Sequence, residues 1–325
     1  MTEKEKTYSS LGEMVKKGDF KKLQETLISF KETEDIEILK SNKSNHVNEL
    51  DLLLFHMIRF SDAKIFEPKK DDEEETPEIS FGLGANMNMG TGNTPPIFVE
   101  EQRINPLLEK LEPVVLPNNF IETFELLLSL GANPNTPIKN GITPFIFACS
   151  VNNKELAQKM IENPYEEYIL HSHEYIPLKA DIQIADSKGN GPLYYATMNG
   201  ALDTLEYLVK DLGMDINTKN FLETDRTLLH IVCSNMPIFS RLDQDGFAWE
   251  FIGMDAIELN KEILDKLLDL GADITLEDAN NDHPFDLIPT FEPEDTDYDE
   301  KEVAKLDEIY DLLINIQPKR PRPGP

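Results

Sequence analysis

Cysteine occurs twice in this 325-residue chain, tryptophan once, and the 31 basic side chains are outnumbered by 61 acidic ones. Nothing in two cysteines suggests a disulfide framework, which fits a reducing compartment. No stretch approaches the roughly 18 apolar residues that a membrane span needs, and the opening MTEKEKTYSS lacks the apolar core of a secretory signal. The expected address is therefore the cytoplasm or the nucleus. The shortage of lysine and arginine leaves a net charge of −30, so phosphate repulsion sets the chain against direct binding of nucleic acid.

What the chain does have is a phrase written three times: LLLSLGANPN at 126–135, YLVKDLGMDIN at 207–217 and KLLDLGADIT at 266–275. Each is an apolar helical run ending at Gly131, Gly213 or Gly271. A helix that stops sharply leaves carbonyls to be satisfied by a left-handed residue just past its end, and glycine takes that conformation without a Cβ penalty. Another phrase opens the next helix. In NGITPFIFACS (140–150) Gly141 permits a tight turn, Thr143 can cap the first amides, and Pro144 suits the first helical position. Turn, helix, helix and glycine stop make one module.

Such openings recur at Thr94, Thr143, Gly191, Thr227 and His283, at spacings of 49, 48, 36 and 56. A unit of about 33 residues carrying insertions explains all of them. Nine residues after an opening the chain should reach the small turn between the two helices, and it does so from Ser9 to Gly18, Thr143 to Asn152 and Gly191 to Gly200.

These residues resemble the ankyrin-repeat family. The match is best over 186–217, where Asp186, Gly189, Pro192, Leu193, Ala196, Gly200, Leu208, Gly213, Asp215 and Asn217 fall on pattern positions, with one extra residue before Gly213. The histidine of the family's helix opening survives only as His230; Ile146, Tyr194 and Asp286 replace it elsewhere. The resemblance implies an all-α solenoid of stacked helix-turn-helix repeats with β-turn fingers and long insertions. Residues 1–317 form one array of about seven units (9–40, 48–85, 94–135, 143–182, 191–217, 227–275 and 283–316), the outer helix of the second being unplaced. Cys149 and Cys233 then share one module position, usually alanine, as small buried side chains.

The charge is uneven. Acidic insertions at 67–80, densest at 71–78, and at 291–302 are poor in packing residues and are expected to be solvated. The extra residues at 101–118, 236–258 and 292–304 fall between the two helices of a unit, opposite the fingers. Those at 164–179 follow a second helix and should emerge on the finger side, with three tyrosines and two histidines. The tail at 318–325 is proline-rich, with Lys319, Arg320 and Arg322, and is expected to be disordered.

Motifs that would carry chemistry fall short. Asp295, Asp297 and Asp299 have the spacing of a calcium loop, but Glu300 stands at its glycine position and Leu306 at its bidentate glutamate. His171, His173 and Glu174 lack a second ligand cluster for zinc. The glycine-rich 81–96 has no phosphate-binding lysine. Trp249, with Phe247 and Phe251, is expected to form a satellite core within its insertion.

No cofactor, metal or catalytic residue is expected. The resemblance implies a non-enzymatic, monomeric scaffold that binds a partner protein, of a kind the sequence does not name, through finger tips and the exposed ends of the inner helices. Carried onto this chain these are Lys139, Asn140, Ile142, Ser150 and Val151; Ser187, Lys188, Asn190, Met198 and Asn199; Phe221, Glu223, Thr224, Arg226, Ser234 and Asn235. Lys139, Lys188 and Arg226 would give an acidic protein a neutral-to-basic ridge. An acidic chaperone or histone-binding protein acting through its acidic runs is the competing expectation; an activity hosted by the insertions is a third.

Overall fold

Unsatisfied carbonyls at the ends of the apolar helices decide where this chain turns. The computed structural model describes residues 3–33, 36–41, 43–44, 47–65, 116–138, 141–169, 174–186, 188–219, 224–236, 238–242, 248–252, 254–289 and 300–316. In order, α1 (Glu3–Lys17), α2 (Phe20–Glu32), α3 (Ile36–Ser41), β1 (Lys43–Ser44) and β2 (Val47–Asn48) precede α4 (Glu49–Ile65). After these come α5 (Phe120–Ser129), α6 (Pro144–Ser150), α7 (Lys154–Ile161), β3 (Glu166–Ile169), β4 (Glu174–Pro177), α8 (Pro192–Met198) and α9 (Leu202–Glu206), which runs on as a π-helical turn, Tyr207–Asp211. Finally α10 (Leu228–Ser234), β5 (Ile238–Leu242), β6 (Ala248–Ile252), α11 (Met254–Asp269), a 3-10 turn at Pro284–Leu287 and α12 (Glu300–Ile316) complete the fold. Among the described residues strands occur only as two-stranded antiparallel hairpins, and the architecture is all-α.

The glycine stops work as the sequence predicts. Gly131 has φ 103°, its N–H reaches the Leu128 carbonyl at 3.1 Å, and the Ala132 N–H reaches Leu127 at 3.0 Å. Gly271 repeats this with Leu268 and Leu267. At Gly213 the same pattern is one residue longer, its N–H bonding to Val209 and that of Met214 to Leu208. The π-helical turn therefore absorbs the extra residue noticed in the sequence, as single-turn π-bulges do.

The turns between paired helices sit at the predicted residues: Gly18, Asn152 and Gly200 have φ of 70°, 57° and 66°. Thr143 accepts the Ile146 N–H at 3.2 Å and Pro144 follows it, so α6 opens as expected. The first module differs, because α1 runs unbroken from Glu3 through Ser9, its charged N-terminal residues being good helix formers.

The helices pair as α1 with α2, α4 with α5, α6 with α7, α8 with α9, α10 with α11, and the 3-10 turn with α12. The first member of each pair packs on the first member of the next. There are thus six pairs among the described residues, not seven. The two units placed at 48–85 and 94–135 are one: α4 packs directly on α6 and α5 is its outer helix. Asn153 Nδ2 donates to Ser61 Oγ at 3.0 Å and the Asn133 N–H to buried Asp51 at 2.7 Å, fixing that order.

Each pair buries one apolar stripe against its neighbours. Phe20 meets Phe120 edge-on at 4.9 Å between ring centres, and Phe55 stacks on Phe147 at 4.7 Å. Cys149 and Cys233 are buried and unbonded, and burial pushes both thiols up. Outer helices are linked by ion pairs, Lys159 to Glu125 at 2.5 Å and Lys266 to Glu206. The last three residues of the acidic run 291–302 lie in the first turn of α12, where carboxylates suit the helix dipole. The stretches 67–80 and 318–325 lie outside the described residues.

Candidate partner-binding site

A finger is a backbone hairpin that must hold its shape in water, and two of these fingers do so with a single aspartate. The Asp186 N–H bonds to the Asn190 carbonyl at 3.0 Å, while Asp186 Oδ1 accepts the N–H groups of Lys188 at 2.7 Å and Asn190 at 2.9 Å. Asp278 does the same with Asn280 at 2.7 Å and Asp282 at 3.2 Å. In a third finger the Ile138 N–H meets the Ile142 carbonyl at 2.9 Å without such a carboxylate. Tyr195 closes the Asp186 finger from below, its hydroxyl donating to Asp186 Oδ2 at 2.7 Å. Burial and that carboxylate both push the phenol's pKa up, so it stays a donor.

Lys188 stands exposed on its fingertip. Met198, Ser234, Asn235, Thr224 and Ile142 are half-buried, with Ile142 packed against the core. Four expected contact residues are instead used by the fold. Ser150 and Val151 are buried because α6 is covered on every side; Asn199 is buried and caps α8 by donating to the Tyr195 carbonyl at 2.8 Å; Asn190 is buried against Asp186. Lys139, Asn140, Ser187, Phe221 and Glu223 lie outside the described residues.

Arg226 also has a structural task. Its Nε donates to Asp278 Oδ2 at 3.1 Å, and that carboxylate has no solvent-exposed surface. Burial works against the Asp278 charge, yet hydrogen bonds from the Asn280 N–H, Arg226 and the Asp282 N–H outweigh it and hold its pKa below the usual carboxylate range. Alongside, the Ala279 N–H reaches the Thr224 carbonyl at 2.8 Å, so the fingers before α10 and before the 3-10 turn are tied together. Of the ridge Lys139, Lys188 and Arg226, one charge is already spent.

His230 ties the same two modules from inside. Its Nδ1 accepts the Thr227 N–H at 3.2 Å, which leaves the proton on Nε2, 3.1 Å from the Asp282 carbonyl that accepts it. Burial lowers its pKa and keeps it neutral. Two loop asparagines act similarly: Asn135 bonds the Lys179 carbonyl and the Asp181 N–H at 2.9 and 2.8 Å, and Asn217 bonds the Gly271 carbonyl and the Asp273 N–H at 3.4 and 2.8 Å.

Residues 164–179 contain the hairpin β3–β4, with Tyr168 opposite Tyr175 and Glu167 opposite Ile176. Residues 236–258 contain β5–β6, with Arg241 opposite Trp249, and β5 packs beside α8 and α11. Among the described residues no cluster of three metal-ligating side chains occurs, and no helix is long and apolar enough to cross a membrane. His171, His173, the stretch 81–96 and Asp295 to Asp299 lie outside those residues.

Paired helices joined by tight turns, glycine stops and closed fingers define a repeat protein. Residues 114–220 match the family model for ankyrin repeats (3 copies), and that span of the chain is an ankyrin-repeat region. No curated protein matches it significantly. The sequence pointed to Asp186 by its pattern position, but gave no sign that Asp278 is the carboxylate Arg226 meets.

Proposed function

We propose that the chain is a non-enzymatic scaffold, a solenoid of stacked helix pairs that binds a partner protein through its fingertips and the open ends of its inner helices. Ankyrin repeats generally mediate protein–protein interaction, and the fold spends its polar groups on its own turns and junctions. The observation that carries the reading is exposed Lys188 on a hydrogen-bonded fingertip, with half-exposed Met198 at the far end of the helix that follows it, within the span that matches the repeat family. Met198, Ser234 and Asn235 extend the surface to the next inner helix. A cytoplasmic or nuclear monomer without a cofactor fits this role.

The test is capture with the purified chain, identification of the bound protein by mass spectrometry, and a repeat with Lys188→Glu combined with Met198→Ala. Loss of the partner at an unchanged melting temperature is expected. Undiminished capture by the double variant would overturn the assignment.

A further inference from the structure

Of the six exposed large hydrophobics among the described residues, three crowd onto one hairpin: Tyr165 is 45% exposed, Tyr175 66% and Ile176 48%. The repeat does not need this hairpin, which is an insertion between α7 and the next finger. Its base is nonetheless firmly held. Asn163 is buried and donates to the Leu178 carbonyl at 2.6 Å, the Leu178 N–H donates to the Tyr165 carbonyl at 2.9 Å, and the Ala180 N–H reaches Met160 at 2.8 Å. A rigid mount carrying exposed aromatic and aliphatic side chains is the pattern of a contact surface.

The ladder also has an open edge. Because Leu178 bonds Tyr165, alternation makes Glu167–Ile176 and Ile169–Glu174 the hydrogen-bonded pairs, so the main-chain groups of Glu166 and Tyr168 point away from β4. No third strand pairs with β3 among the described residues. The β4 edge is blunted, since Pro177 has no N–H to offer. Charge then selects the partner. The sequence around the hairpin carries Glu162, Glu166, Glu167, Glu174 and Asp181 against the single Lys179.

We propose that β3 is a docking edge for an extended basic segment of a partner protein, which adds as a third strand, sets lysine or arginine against the glutamates, and reaches across β3 with its longer side chains toward the exposed Tyr165, Tyr175 and Ile176. Arginine on a tyrosine face would add a cation–π contact. The chain's own basic tail does not qualify as the strand, because prolines 318, 321, 323 and 325 interrupt it. This proposal rests on the scaffold reading but uses a surface apart from Lys188 and Met198.

The probe is a labelled peptide alternating valine with arginine or lysine, measured by fluorescence polarisation against the full chain, with the glutamate counterpart as control. Binding of the basic peptide alone is expected, with slower hydrogen exchange confined to 166–169. Tyr175→Ser with Ile176→Ser, and separately Glu166→Lys with Glu174→Lys, should each weaken it by about tenfold or more while melting stays unchanged. Deleting 71–78 should leave most of the affinity. Equal binding of both peptides, or loss on deletion of 71–78 but not in the hairpin variants, would overturn the proposal. Because the probe is a defined peptide, that failure leaves the Lys188 and Met198 capture experiment to be judged by itself.

Discussion

The Arg226 guanidinium and the Asp278 carboxylate, 3.1 Å apart, join one finger to the next, with the acid buried and the base partly so. A charge that looks available for a partner in the sequence is thus a crosspiece of the fold. Arg226→Glu is expected to destabilise the chain by up to about 3 kcal/mol, since it leaves the Asp278 carboxylate buried and facing a like charge. Lys188→Glu, on an exposed tip, should change stability by less than about 0.5 kcal/mol. Thermal melts of the two variants check this, and equal melting temperatures would contradict it.

Leu208, within the π-helical turn, is fully buried. Leu208→Ala should cost roughly 2–5 kcal/mol through lost burial and the cavity left behind. Denaturant unfolding with an unchanged slope gives the number directly.

The π-helical turn makes a prediction in the opposite direction. With Asp211 deleted, YLVKLGMD aligns residue for residue with KLLDLGAD at 266–273. The bond from Met214 to Leu208 would then match the bond from Ala272 to Leu267. The deletion should leave the melting temperature unchanged or higher. A clear fall would mean that Lys210 and Asp211 do more than fill the bulge.

Acid should loosen the structure before it protonates carboxylates generally. Burial lowers the pKa of His56 to about 4, with Arg59 and Lys16 pushing the same way, and burial lowers that of His230. A histidine depressed in the folded state is stabilising when neutral. Its contribution is complete above the unfolded value of about 6.5 and is lost as pH falls toward the folded value. Melting temperature should therefore decline between about pH 6.5 and 4, and His56→Gln should flatten that decline.

Much of the fold was legible because its signals are local. A glycine stop, a threonine cap and a nine-residue count each act within one or two turns of chain, and Gly131, Thr143 and Asn152 all behave as their sequence neighbourhoods require. The pairing of α4 with α5 was not legible, since 54 residues separate Ile65 from Phe120 and no local signal spans that gap. Site residues were legible only by position. A pattern places Ser150, Asn199 and Arg226 on the repeat's outward register, but whether a side chain is covered or bonded depends on neighbouring modules that the pattern does not record.

The asparagine bridges are unevenly distributed along the array. Asn135 and Asn217 each fasten their loop to the next, whereas the loop between them carries Gln183, which among the described residues makes no such bridge. That junction is fastened at the other edge, where Asn152 bonds the Thr204 N–H at 3.0 Å and the Asp203 carboxylate at 3.2 Å. The joint is therefore bridged along one side, with α6 packed on α8 between, and the β3–β4 hairpin leaves the chain beside the side where the described residues show no asparagine bridge.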